Sequence, residues 1–192
     1  MRQEVEIEYK NLLTKQEYDK LKAILFTDKA SPQVQENYYF DTKDYRLKKA
    51  QCALRIRIKG NSAEMTLKTP FEGHHTETTL DISPKRAREL ITAGSFSLPK
   101  AIHSVLLQEN ISVQQDVFKI AQLKTERLEA VNPHSIIVLD KSYYSNQIDY
   151  ELEVESDSKA TGKKLFAQIL NDHAIPERAT QNKIARAFDA AQ

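Results

Sequence analysis

Residues 4 to 10 read Glu-Val-Glu-Ile-Glu-Tyr-Lys, an acid at every second position and then a lysine. In a β-strand alternate side chains share a face and lie about 6.5 Å apart. Glu4, Glu6, Glu8 and Lys10 would therefore form one row, whose three carboxylates repel one another unless water or a cation relieves them. A second acidic row, Glu151, Glu153 and Glu155, stands in "DYELEVES". A basic row, Arg55, Arg57 and Lys59, alternates with Leu54, Ile56 and Ile58, and Lys68 follows in the next segment, across the turn at Gly60-Asn61. Arg127 is a further cation in a later strand.

Any one such strand is ordinary on a sheet face that meets water. The set is harder to place on a surface, because solvated faces mix their signs and like charges side by side are unfavourable. Polar faces turned into a closed barrel, with apolar faces outward under helices, would resolve this. The acidic rows would then offer hard oxygen ligands to Mg2+ or Mn2+. The basic rows would offer arginine forks and lysine point charges to phosphate oxygens. Such a cavity suits an anion whose charges are spread along its length, a linear polyphosphate or the phosphates of a nucleoside triphosphate. Enclosing those charges without a ligand would be costly.

The elements that must position these residues follow from patterning. A first strand covers about 3–11. A helix follows, with Thr14 as its cap, Glu17 completing a capping box, Leu13 and Tyr18 as a staple, and a stripe of Tyr18, Leu21, Ile24 and Leu25. The second strand, "VQENYYFDT", sets Tyr38 and Phe40 against Asn37, Tyr39 and Asp41. A polar turn spans Lys43–Lys49, and strands follow at 52–60, 63–70 and 75–82. Helices begin at Ser83-Pro84 and at Pro99. One or two strands cover "VFKIAQLKTERLEAV", two more carry "SIIVLDKSYYS" and "DYELEVES", and two helices span about 158–172 and 180–190, the last capped by Thr180.

The 192 residues, 40% hydrophobic and 29% charged, suit one domain with a real core. A net charge of +1 argues against a protein that coats nucleic acid. No apolar run is long enough for a membrane span, and the N-terminal residues lack the apolar core of an export signal. Cys52 is the single cysteine, which excludes an internal disulfide and a cysteine zinc site, so a cytoplasmic protein is expected. There is no glycine-rich phosphate loop.

"EIEYK" at 6–10, "YFDT" at 39–42, "LRIR" at 54–57, "TLKTP" at 66–70, "LDK" at 139–141, "ELE" at 151–153 and "NKIARA" at 182–187 together resemble, in order, the CYTH superfamily of triphosphate tunnel metalloenzymes, and within it the small bacterial YjbK-like members. The resemblance implies an α+β fold, a closed antiparallel tunnel of eight strands with a charged interior and helices packed outside. It implies metal binding by Glu6, Glu8, Glu151 and Glu153, and a triphosphate cradle of Lys10, Arg55, Arg57, Lys68, Arg127 and Lys183. Tyr39 working with Lys68 is the base it suggests, Lys68 being expected to have a lowered pKa from crowding by Arg55 and Arg57. The expected activity is divalent-metal-dependent hydrolysis of inorganic tripolyphosphate or a small organic triphosphate. The alternatives are a class IV-type adenylate cyclase and a non-catalytic polyphosphate or nucleotide binder. The expected partner is a triphosphate-bearing small molecule rather than nucleic acid or membrane, with the chain a monomer or homodimer. The sequence departs from the family in "HTETTLDI", with His75 where relatives carry a basic residue before Glu77, and in Thr125-Glu126-Arg127 where Lys-x-Arg is frequent.

Overall fold

The computed structural model describes residues 1–27, 30–114 and 116–190. Nine strands form one sheet: β1 (Arg2–Leu13), β2 (Gln33–Asp41), β3 (Ala53–Lys59), β4 (Ser62–Phe71), β5 (His74–Ile82), β6 (Ser95–Phe96), β7 (Val117–Asn132), β8 (Ser135–Tyr144) and β9 (Gln147–Ser156). Eight of them run antiparallel in the order β2-β3-β4-β5-β1-β9-β8-β7, and β7 pairs back onto β2, closing a barrel. The two-residue β6, which the sequence did not suggest, only extends β7. The "VFKIAQLKTERLEAV" segment is one 16-residue strand. It is long enough to pair with β8 through Lys124–Asn132 and with β2 through Phe118–Arg127.

Residues directly opposite in register share a face. Tyr39 faces Arg55 and Ala121, and Lys10 faces Glu153, so the charged rows line the inside. The alternate residues point outward under α1 (Lys15–Leu25), α2 (Arg46–Lys49), α3 (Pro84–Ala93), α4 (Lys100–Gln108) and α5 (Lys159–Asp172), while α6 (Lys183–Asp189), the last helix among the described residues, lies at one end of the barrel. Leu54, Ile56, Met65 and Leu67 lie under Ala87 and Leu90 of α3 and Ile102 and Leu106 of α4. Leu139, Leu152 and Val154 lie under Tyr18 and Leu21 of α1 and Phe166, Ile169 and Leu170 of α5. Full burial of each such side chain stabilises by about 1.5–3 kcal/mol, so the apolar cores of this barrel lie mainly outside its wall.

Local chemistry accounts for the element ends. Thr14 accepts from Glu17 N while the Glu17 carboxylate accepts from Thr14 N, the expected capping box. Ile24, however, is 54% exposed, so the stripe of α1 is narrower than its spacing suggests. The polar turn after β2 contains α2, whose amides are capped from upstream: Asp41 accepts from Leu47 N and Lys48 N, and Thr42 accepts from Arg46 N. That capping gives Asp41 and Thr42 of "YFDT" a place in the architecture. Pro99 is the N-cap of α4, one place before its first turn. The last helix is shorter than its pattern suggests and its N-cap is Asn182. Thr180 instead accepts from Leu12 N and donates to Arg178 O, fastening the preceding loop to β1.

At one end of the barrel the inward face turns apolar. Tyr39, Ala121, Leu123 and Tyr144 pack there against Ala187 and Phe188, so α6 covers part of that mouth. Among the described residues no helix is long and apolar enough to cross a membrane.

Candidate functional site

The barrel encloses a cavity of about 820 Å³ lined by both charged rows and reaching Tyr39 and Phe188 at the α6 end. β1 places Glu6 and Glu8 on its inner face, and register puts Glu155 of β9 directly opposite Glu8. Carboxylate oxygens of Glu6, Glu8 and Glu155 all lie within 4.8 Å of one another. Three hard oxygen donors gathered in this way could hold a metal cation. Glu6 is pushed up to about 7, by burial first and then by Glu8 and Glu77, with Lys68 opposing. Burial and the Arg127 guanidinium pull Glu155 in opposite senses, and burial prevails, raising it. Burial and Glu153 push Glu8 up, but Lys10, Lys68 and Lys183 outweigh them and hold it low. One site thus keeps carboxylates under mutual repulsion, which a cation would relieve.

Glu151 and Glu153, expected in the same metal set, are placed one step further along β9 and are tied to cations. Glu153 takes Arg127 at 2.6 Å and Lys183 at closer range, and Glu151 takes Lys183 at 3.1 Å and also Arg186. Asp140 of β8, fully buried, joins them by gripping Arg127 through both oxygens at 2.9 and 2.7 Å and Lys183 at 2.9 Å. Lys183 opens α6, where the helix dipole disfavours a cation; the anions that hold it are these three carboxylates of the chain itself. Arg127 reaches Glu155 at 3.4 Å, so it bridges the two acidic groups.

On the opposite wall Arg55, Arg57 and Lys59 share a single carboxylate, Glu64, at 3.8, 3.7 and 3.7 Å. Arg57 Nε donates to Asn37 at 2.7 Å. Arg55 is 8% exposed and its Nε has no hydrogen-bond partner. Burial, then Arg55 and Arg127, drive Arg57 down to about 10. This wall is short of negative charge, and a buried guanidinium donor without an acceptor is costly.

Lys68 lies between the walls. Register sets it opposite Ala53 and Glu77 rather than beside the arginines, whose partners across the hairpin are Thr66 and Glu64. Its Nζ pairs with Glu6 at 2.5 Å and Glu77 at 2.7 Å. Burial would lower its pKa, but Glu6 and Glu77 outweigh burial and raise it, which overturns the expected depression. A lysine so held is a poor base at neutral pH. Tyr39 lines the cavity at its apolar end, packed with Ala121 and Phe188. Lys10 pairs with Glu8 at 2.6 Å.

Sequence reasoning left out Asp140, Arg186 and Glu64, and placed Glu155 in an acidic row without counting it among the metal ligands. Asp140 was legible in principle: it is the acid of "LDK", on the inward phase of a strand whose neighbours Leu139 and Lys141 point outward. Arg186 sits in "NKIARA", one helical turn after Lys183. Glu64 could be recognised only from register, since it lies among cations of another strand.

A CYTH domain profile matches residues 4–188. YjbK of Bacillus subtilis (strain 168), whose name proposes a triphosphatase, is 36% identical over 190 residues, which cover 98% of this chain and 97% of that one. A Bacillus halodurans crystal structure, whose name proposes an adenylate cyclase, superposes with a TM-score of 0.88 at 34% identity over 98% of this chain and 100% of that one. A Hippeastrum protein, proposed as an adenylyl cyclase and described as having a dominant triphosphatase activity, shares the fold with a TM-score of 0.73 at 24% identity, over 98% and 96% of the two chains. With a charged barrel, its motifs in order and relatives matched end to end, the chain belongs to the CYTH domain family.

Proposed function

We propose that this protein hydrolyses a triphosphate, inorganic tripolyphosphate or a small organic triphosphate, with Mg2+ or Mn2+ as its cation. One observation carries the reading: a single cavity sets the Glu6, Glu8 and Glu155 carboxylates against a basic wall in which Arg55 Nε lacks a partner. Charge of one sign would suit a cation or an anion alone; both signs, segregated, suit an anion that brings its own cation. The relatives' names point the same way.

Glu6 and Glu8 would hold the ion. Glu155 is the nearest third ligand by position, and Glu151 and Glu153, implied by the family resemblance, reach the site if their pairs with Lys183 and Arg127 open. A divalent ion held by these carboxylates would offset the negative charge of the phosphate chain. Arg55 and Arg57 present guanidinium forks to the phosphate chain, and Lys10, Lys68 and Lys183 supply point charges. Transfer of a phosphoryl group to water passes through a loose transition state, so alignment and charge neutralisation contribute most and a strong base little. That relaxes the demand on Tyr39, and Lys68 acts as a cation.

Incubation of the protein with tripolyphosphate, thiamine triphosphate, ATP or GTP, each with Mg2+ or Mn2+, tests the proposal. Phosphate release that stops on chelation is expected. Cyclic AMP from ATP would move the assignment to a cyclase, and tight binding with no product would make the protein a binder.

A further inference from the structure

The carboxylates that would hold a cation are not idle in the structure: Glu6 is paired with Lys68, Glu8 with Lys10 and Glu155 with Arg127. A divalent ion taking the Glu6 oxygens must displace the Lys68 ammonium from them. Lys68 has a second anchor in Glu77, at 2.7 Å on the neighbouring strand, which the cation cluster does not include. It also lies close enough to Arg55 for the two charges to repel. Arg55 lines that same cavity. Released from Glu6 and still held by Glu77, the ammonium can swing only within this charged space, toward the phosphate that Arg55 would take.

We propose that Lys68 is an exchangeable counter-ion: it neutralises Glu6 until a divalent cation does so, then turns on its Glu77 anchor to the phosphate chain, so that cation and polyphosphate each bind more tightly with the other present. The inference rests on the triphosphate reading above and adds to it a defined carrier of coupling. The physical reason is balance of charge. Polyphosphate that drew Lys68 away by itself would leave Glu6 buried without a counter-charge, which offsets the gain. Once a cation sits on Glu6, the lysine is free at no such cost. Linkage makes the effect reciprocal.

The test is calorimetric titration of nitrogen-bridged imidotriphosphate into wild type and Lys68→Met, with Mn2+ and again with chelator, together with titration of Mn2+ alone. The expected pattern is a loss of about tenfold in imidotriphosphate affinity for Lys68→Met with Mn2+ and under about twofold with chelator, with Mn2+ alone binding more tightly to the variant. Equal losses with and without Mn2+ would describe a lysine fixed on phosphate and would overturn the proposal. Lys68→Met leaves Glu6 and Glu77 facing each other, so Lys68→Met/Glu77→Gln, which keeps the charge balance, serves where the single variant does not fold, with the same pattern expected. Wild type that binds no imidotriphosphate with Mn2+ would overturn the triphosphate reading itself, an outcome distinct from equal losses in a wild type that binds.

Discussion

Gly162 of α5 lies against Tyr9 of β1 so closely that a Cβ built on it would stand 2.9 Å from Tyr9 Cε2 and 2.9 Å from Ser156 Cβ. The helix docks on the outer wall at that distance only because no side chain intervenes. Tyr9 is fixed in turn by its hydroxyl, which donates to Lys159 O at 3.0 Å. Glycine at this place is required by approach, since the position has no need of left-handed backbone.

Gly162→Ala is therefore expected to destabilise. Alanine would gain about 1 kcal/mol in helix propensity. Overpacking against an aromatic ring and the Cβ of Ser156 costs about 1–3 kcal/mol, and a net loss of stability in urea unfolding is the expected result. A gain would mean that α5 stands further from β1 than described.

Glu17 and Arg178 join the first helix to the loop before α6, two guanidinium nitrogens meeting the two carboxylate oxygens at 2.9 Å each. Arg178 first, then the Thr14 amide and hydroxyl, overcome burial and hold Glu17 below its usual value of 4.5. A depressed carboxylate adds stability that is present above the unfolded value and lost as pH falls through the folded one. The stability difference between wild type and Glu17→Gln should thus be steady at pH 6 and shrink below pH about 4.5. The pair is partly solvated, so the whole difference should be about 1 kcal/mol, the scale of one cap. Thermal midpoints of both proteins across pH 3–7 measure it.

Glu6→Gln and Glu8→Gln should each cut phosphate release from tripolyphosphate by about a hundredfold or more. The melting temperature should stay level or rise for Glu6→Gln, whose carboxylate burial and like charge already disfavour, and fall for Glu8→Gln, which leaves Lys10 without its partner. If both variants kept wild-type rates, the acidic rows would be ordinary charges.

Arg57→Lys keeps the charge and loses the planar guanidinium whose Nε bonds Asn37 in the cavity wall. A rise in KM for tripolyphosphate of about tenfold, with kcat less affected, is expected. Lysine performing as well as arginine would show that only charge matters on that wall.

Cys52 is buried, and burial foremost, with Glu109 and Asp41, pushes its thiol up to about 11. An aromatic disulfide reagent at pH 8 should leave the native protein unlabelled and take up one thiol per chain in denaturant. Prompt labelling would show that the segment before β3 opens readily.

What the chain disclosed before its structure was known divides by range. Alternation is local, so the inner rows and outer cores were readable from strands such as Glu4–Lys10 and Leu54–Lys59. Caps were readable where a side chain serves its own helix, as with Thr14 and Glu17. They were misread where partners come from elsewhere: Asp41 and Thr42 cap a helix across a turn, and Thr180 bonds to β1. Site residues set by one strand's phase were placed inside. Which acid meets which cation depends on register between strands distant in sequence. Hence Glu155 beside Glu8, Glu64 among the arginines and Lys68 between two glutamates were open until pairing was known. The expected pKa of Lys68 failed for that reason.

The seam where β2 meets β7 joins Gln33 to Arg127 and Asp41 to Phe118. During synthesis β2 must wait, with one edge unpaired, until nearly two thirds of the molecule has emerged, and that long-range contact slows assembly and leaves the nascent strand open to wrong neighbours. Once the seam has formed, the ring presents no long free edge among the described residues to another copy, so conditions that loosen this one joint should govern whether the protein survives refolding or precipitates.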